Sequence, residues 1–236
     1  MRRRGLGREA QAPCIFRRTM KKTIAYIDGY NLYYGLLKGS PSIKWLDLHK
    51  LVSSMFKVQH ELLAVKFFTA RVRTYPHEQM AEERQKIYLQ ALRAFGGVEI
   101  IEGFYSKKKT WMPHVNPTCR VCDEAHAGLA HVVKLEEKRS DVNLAVTALV
   151  DATRTDADCF VLVTGDADQA GTVYALRHEF RKTVLVFNPH TAVSEHLNRV
   201  ASYYAHIPRD LPARCQLPDL VPIPNGNTIH RPSAWA

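Results

Sequence analysis

The chain has 236 residues, 46% of them hydrophobic, and a formal net charge of +10. That suits one α/β domain with an insertion or tails and leaves no apolar stretch long enough to span a bilayer. The five cysteines are odd in number and lack disulfide-framework spacing, and nothing marks export, so a cytoplasmic protein without a membrane partner is expected.

Residues 1–20 carry six Arg against one Glu, half of the positive excess, and are expected to form a disordered basic tail. The core is expected over 21–207. A first strand, about 23–28, leads into a tyrosine-rich helix from Tyr30 to Leu37, and a second helix, about 47–56, starts at the natural cap Asp47. A second strand covers 62–70. An amphipathic helix over 77–95 stops at Gly96-Gly97, and an alternating third strand covers 98–104. Residues 106–135 break the rhythm with a Lys run, Pro113, Pro117, a Cys pair and three His, and read as an inserted functional loop. Helix 140–152, strand 158–164, helix 168–178, strand 182–187, helix 191–198 and a short strand near 203–207 follow. From Pro208 onward, six prolines in 29 residues point to an extended tail, 208–236, that wraps the domain or is mobile. The alternation predicts an open, mainly parallel sheet flanked by helices.

Two acidic clusters stand at strand ends. Thr23-Ile24-Ala25-Tyr26-Ile27 runs into Asp28-Gly29-Tyr30-Asn31, and Phe160-Val161-Leu162-Val163 runs into Thr164-Gly165-Asp166-Ala167-Asp168. Ligands of open α/β sheets bind beyond the carboxyl ends of the strands. Carboxylates gathered there repel one another unless a cation neutralises them, which points to a hard divalent ion and to phosphate esters. Each residue also has a plainer role. Asp28 can cap the Tyr30 helix, and Asn31 can bond local backbone. Asp141, in Ser140-Asp141-Val142-Asn143, can complement a helix dipole, and Lys138 and Arg139 before it contact phosphate or are solvated. Asp166 or Asp168 can cap the next helix, though not both, since a helix has one cap position.

Tyr30, Tyr33 and Tyr34 offer a stacking surface or pack an amphipathic helix. Lys107, Lys108 and Lys109 with Trp111 form a basic, aromatic contact for nucleic acid or a solvated loop. Cys119-x-x-Cys122 is half of a zinc site that His114, His126 or His131 could complete, a redox pair, or two unremarkable thiols.

The ordered set Asp28-Gly29-Tyr30-Asn31, Glu137-Lys138-Arg139-Ser140-Asp141-Val142-Asn143-Leu144-Ala145 and Thr164-Gly165-Asp166-Ala167-Asp168 resembles the NYN domain family (LabA/DUF88-type) of PIN-like nucleases over about residues 22–206. The resemblance implies a Rossmannoid, PIN-like fold and metal-dependent endoribonuclease activity. It implies Mg²⁺ or Mn²⁺ on Asp28, Asp141, Asp166 and Asp168, with Asn31 and Thr164 as polar neighbours. RNA is then the expected partner, met by Tyr30, Lys107, Lys108 and Lys138, and self-association is left open. Gln169 departs from the family, which usually has an aromatic or aliphatic residue there. The alternative on the same fold is a catalytically silent RNA-binding or regulatory module. A haloacid-dehalogenase-type phosphatase is disfavoured because Tyr30 stands where its second Asp belongs. A dinucleotide-binding Rossmann protein is disfavoured because no Gly-x-Gly-x-x-Gly follows a strand.

Overall fold

The computed structural model describes residues 20–56, 60–72, 79–114, 128–224 and 226–236. The basic segment 1–19, Cys119, Cys122 and His126 lie outside them.

β1 (Lys21–Asp28) occupies the middle of a seven-stranded sheet. Its neighbours are β2 (His60–Ala70) and β5 (Cys159–Val163), both parallel to it. Outward from β2 come β3 (Glu99–Pro113) and β4 (Leu129–Lys138), and outward from β5 come β6 (Thr183–Asn188) and β7 (Tyr203–His206). Every pairing is parallel except β3 with β4. The chain builds one side of the sheet from β1, returns, and builds the other from β5. The β1–β5 boundary is therefore the switch point, where parallel sheets open a crevice.

β1 and β5 read as unbroken apolar runs because helices cover both faces of the sheet. On one face Ala25, Ile27, Val161 and Val163 pack with α2 (Leu48–Met55) and α3 (Gln79–Phe95). On the other, Ile24, Tyr26, Phe160 and Leu162 pack with α4 (Ser140–Arg154), α5 (Ala170–His178) and α6 (Glu195–Val200). The buried Tyr26 hydroxyl donates to Asp151 of α4 at 2.7 Å, and Lys66 of β2 pairs with the same carboxylate at 2.8 Å. The expected Asp47 cap is made, its carboxylate accepting from Lys50 N at 2.9 Å. The tyrosine-rich helix is α1 (Gly29–Leu32) with a π-helical continuation over Tyr33–Leu37.

Two segments differ from expectation. Much of 106–135, expected as a loop, is strand: β3 runs on to Pro113 and pairs with β4 from Phe104↔Lys138 to Pro113↔Leu129. The outer part of this arm is exposed, so no buried face imposes an apolar alternation on its sequence. The proline-rich end does wrap the domain, with more regular structure than an extended tail. It forms α7 (Leu211–Arg214), one turn that Pro212 can start, and the ribbon β8 (Leu220–Pro222) with β9 (Thr228–His230). Trp45 Nε1 donates to Pro218 O at 2.9 Å, and the Trp235 ring lies 6.3 Å from Trp45 and 6.0 Å from Tyr88.

Candidate active site

Asp28 ends β1 and is 2% exposed. Its Oδ1 accepts from Asn31 N at 2.9 Å, and its Oδ2 accepts from Asn31 Nδ2 at 2.6 Å and Thr164 Oγ1 at 3.0 Å. Capping and site placement are therefore one arrangement. Burial pushes the Asp28 carboxyl up, the bonds from Asn31 and Thr164 pull it back, and the charge of Asp166 adds to the rise.

Asn31 joins three strand ends. Its side-chain oxygen accepts from Gly165 N at 3.2 Å, beyond β5, and lies 3.1 Å from His190 Nε2, beyond β6. Gly165 permits this closeness: a Cβ there would stand 2.5 Å from Asn188 Oδ1. Thr164, fully buried, also accepts from Asp166 N at 3.1 Å. Asp166 caps the single turn Ala167–Gln169 by accepting from Asp168 N at 3.0 Å, which leaves the exposed Asp168 side chain out of the cap.

Asp141 lies in the first turn of α4, reached from β4 through Arg139 in the left-handed region at φ 81°. Glu137 holds that corner, accepting from Ser140 Oγ at 2.6 Å and Ser140 N at 3.2 Å. The unusual Gln169 has a defined place: its amide donates to Asp141 O at 3.2 Å and its oxygen accepts from Thr172 Oγ1 at 3.1 Å. The Asp141 carboxyl is pushed up to about 6, first by desolvation and then by the charges of Asp28, Asp166, Glu137 and Asp168. Five acids thus share one field. Among the described residues, Asp28, Asp141, Asp166 and Asp168 form no ion pair, and no three His, Cys, Asp or Glu side chains are drawn together as a ligand set.

The other candidates lie elsewhere. Lys138 pairs with Glu136 at 2.9 Å. Lys107 and Lys108 are exposed on the β3–β4 arm, where the Trp111 ring stacks on His131 at 4.7 Å. Tyr30 and Tyr34, their ring centres 4.4 Å apart and tilted by 36°, line a cleft of about 610 Å³. The cleft also takes in Tyr105, Lys44, Arg84 and Trp235, and it reaches Gly29, Glu137 and Ser140 at the edge of the acidic site. His190, Asn188 and the cleft were missed by sequence reasoning. Asn188-Pro189-His190 after the apolar run of β6 was the available signal, being another polar group at a strand's carboxyl end.

The NYN domain model matches residues 22–208. The chain belongs to the NYN domain family. This NYN chain's seven-stranded, mostly parallel sheet with flanking helices is the α/β, PIN-like architecture expected for such a domain. It is 33% identical over 242 residues to 6-hydroxy-3-succinoylpyridine 3-monooxygenase HspA of Pseudomonas putida (strain DSM 28022 / S16), covering 91% of this chain and 75% of that protein. A solved structure of a protein of unknown function from Vibrio parahaemolyticus RIMD 2210633 aligns with 80% of the NYN chain and 95% of its own, at 18% identity and a TM-score of 0.44. Among the described residues of this NYN protein, no helix is long and apolar enough to cross a membrane.

Proposed function

We propose that this protein is a metal-dependent endoribonuclease of the cytoplasm, with Asp28, Asp141, Asp166 and Asp168 holding Mg²⁺ or Mn²⁺. One observation carries the reading: at the switch point of the sheet, four aspartates and Glu137 share a field, and among the described residues no Lys or Arg forms an ion pair with any of them. The donor set suits a hard cation, since it is carboxylate oxygen on preformed elements. When bound, such a cation neutralises charge on a phosphoryl oxygen and eases ionisation of water.

The chain's own groups do the positioning. Asn31 and Thr164 fix Asp28, so its carboxylate is oriented before substrate arrives. Gln169 fixes the backbone at Asp141, and Asp166 orders the turn that carries Asp168. Tyr30 offers a stacking face to an unpaired base, while Lys138, Lys107 and Lys108 offer charge to the RNA backbone. A structural zinc on Cys119 and Cys122 is a separate proposal, tested by metal analysis of the purified protein.

The test is cleavage of mixed RNA and DNA oligonucleotides with Mg²⁺, Mn²⁺ or EDTA. RNA cleavage is expected with metal alone, and Asp166→Asn should lower it by about a hundredfold or more with the fold intact. Undiminished cleavage by that variant at saturating metal overturns the assignment. A second reading follows the Pseudomonas relative and the tyrosine-lined cleft: oxygenation of a small hydroxylated pyridine. Reductant- and dioxygen-dependent conversion of 6-hydroxy-3-succinoylpyridine, without RNA cleavage, selects it. RNA binding with neither activity selects the silent module.

A further inference from the structure

The cleft beside the acids has the opposite electrostatic problem. Lys44, just before α2, and Arg84, on α3, both line it, and neither forms an ion pair among the described residues. Both are half-buried. Burial first, and then the charge of Arg84, push the Lys44 ammonium below its ordinary value. Like charges held together in a partly enclosed site cost free energy that an anion between them removes.

Aromatic side chains supply part of the remaining wall, with aliphatic residues such as Leu32 and Leu37 beside them and Glu137 at its edge. The Tyr30 and Tyr34 ring centres lie 4.4 Å apart with the planes tilted by 36°, Tyr105 stands near both, and the Lys38 ammonium lies 4.7 Å from the Tyr34 ring centre. Lys44 Nζ lies 5.3 Å from the Tyr33 ring centre, so the cation and the π faces belong to one surface. A volume of about 610 Å³ is in the ordinary range for a small-molecule site.

We propose that this cleft binds an aromatic anion, with a planar ring on Tyr30, Tyr34 and Tyr105 and a carboxylate or phosphate held by Lys44 and Arg84. The proposal goes beyond the phosphodiester reading, because the site needs neither a metal nor the four aspartates. Two sources share this chemistry: a free aromatic acid, and the terminal nucleotide of an RNA.

The experiment is titration calorimetry on the full chain in EDTA. The first pair of probes is 4-oxo-4-phenylbutanoate and its uncharged counterpart 1-phenylbutan-1-one; the second is adenosine monophosphate and adenosine. At least one anion should bind about tenfold or more tightly than its neutral partner, with affinity falling as salt is raised. Lys44→Gln and Arg84→Gln should each weaken that anion by about tenfold or more, while Lys44→Arg retains binding. Binding of the keto acid alone assigns the site to free aromatic acids, and binding of the nucleotide alone assigns it to an RNA end. Equal binding of charged and neutral probes, no binding of either anion at millimolar concentration, or indifference to both Gln variants in a folded protein overturns the proposal. No turnover is measured, so failure here leaves the nuclease reading untouched, and failure of that reading leaves this one untouched.

Discussion

Asp141→Asn should stabilise the metal-free protein, and only above a definite pH. In the folded chain the Asp141 carboxyl is pushed up to about 6, against about 4 for an unfolded aspartate. Below about pH 4 the group is protonated in both states and contributes no difference. As pH rises toward 6 the unfolded chain ionises first, so stability conferred by the protonated carboxyl is lost. Above 6 the loss is complete. A shift of that size corresponds to about 3 kcal/mol in full, but the exposed position of Asp141 reduces it to about 1 kcal/mol through solvent screening. The variant also gives up an anion in the first turn of α4, worth about 0.3–1 kcal/mol in the opposite direction. The net expectation is a melting temperature about 1–3 °C above wild type at pH 8 in EDTA, and no gain at pH 4. If the proposed site holds Mn²⁺, adding the ion at pH 8 should reverse the order, because wild type would gain binding free energy that the variant loses in part. Equal gaps at pH 4 and pH 8 would refute the electrostatic origin of the effect.

Two further perturbations test the frame around the site. Gly29→Ala would set a Cβ 2.7 Å from Phe68 O and 2.8 Å from the Phe67 ring, so urea denaturation should show a loss of about 2 kcal/mol, and an unchanged midpoint would contradict that close approach. Trp235→Ala empties a buried place between Trp45 and Tyr88 and should cost about 3 kcal/mol by the same method, while also weakening anion binding in the cleft it lines.

What could be seen in the chain beforehand follows from burial. β1 and β5 stand out because both faces are covered, so every residue between Thr23 and Ile27 is apolar or sterically suited to a core. The strand-end aspartates stand out because turn-forming glycines follow or precede them, and their placement needs only the strand's end point. The β3–β4 arm is opaque for the converse reason: Lys107, Lys108 and Lys109 are all exposed, and period-two alternation vanishes without a buried face. The tail's prolines argue against helix and do hide a one-turn α7, yet nothing local announces that Trp235 docks on Trp45, nearly the whole chain away. The cleft draws Tyr30, Lys44, Arg84 and Trp235 from four separate segments, and a single sequence has no pattern that links them. His190 is hidden likewise, since its bond to Asn31 crosses from the end of β6 to the start of α1.

The docking of Trp235 also orders events during synthesis. Domains generally fold as units during synthesis, so a domain is finished only when its last packing residue has been made. Here the sheet is complete once β7 has been made, but the aromatic place framed by Trp45 and Tyr88 stays open until residue 235 arrives. Arg231 then locks the closing turn by donating to Ser42 O at 2.6 Å and to Trp235 O. A chain lacking its last residues would still contain every strand of the sheet and the strand-end acids, but not the ring that packs on Trp45 and Tyr88. A chaperone that holds apolar surface would find its target there, at the faces of Trp45 and Tyr88 that Trp235 covers in the finished protein.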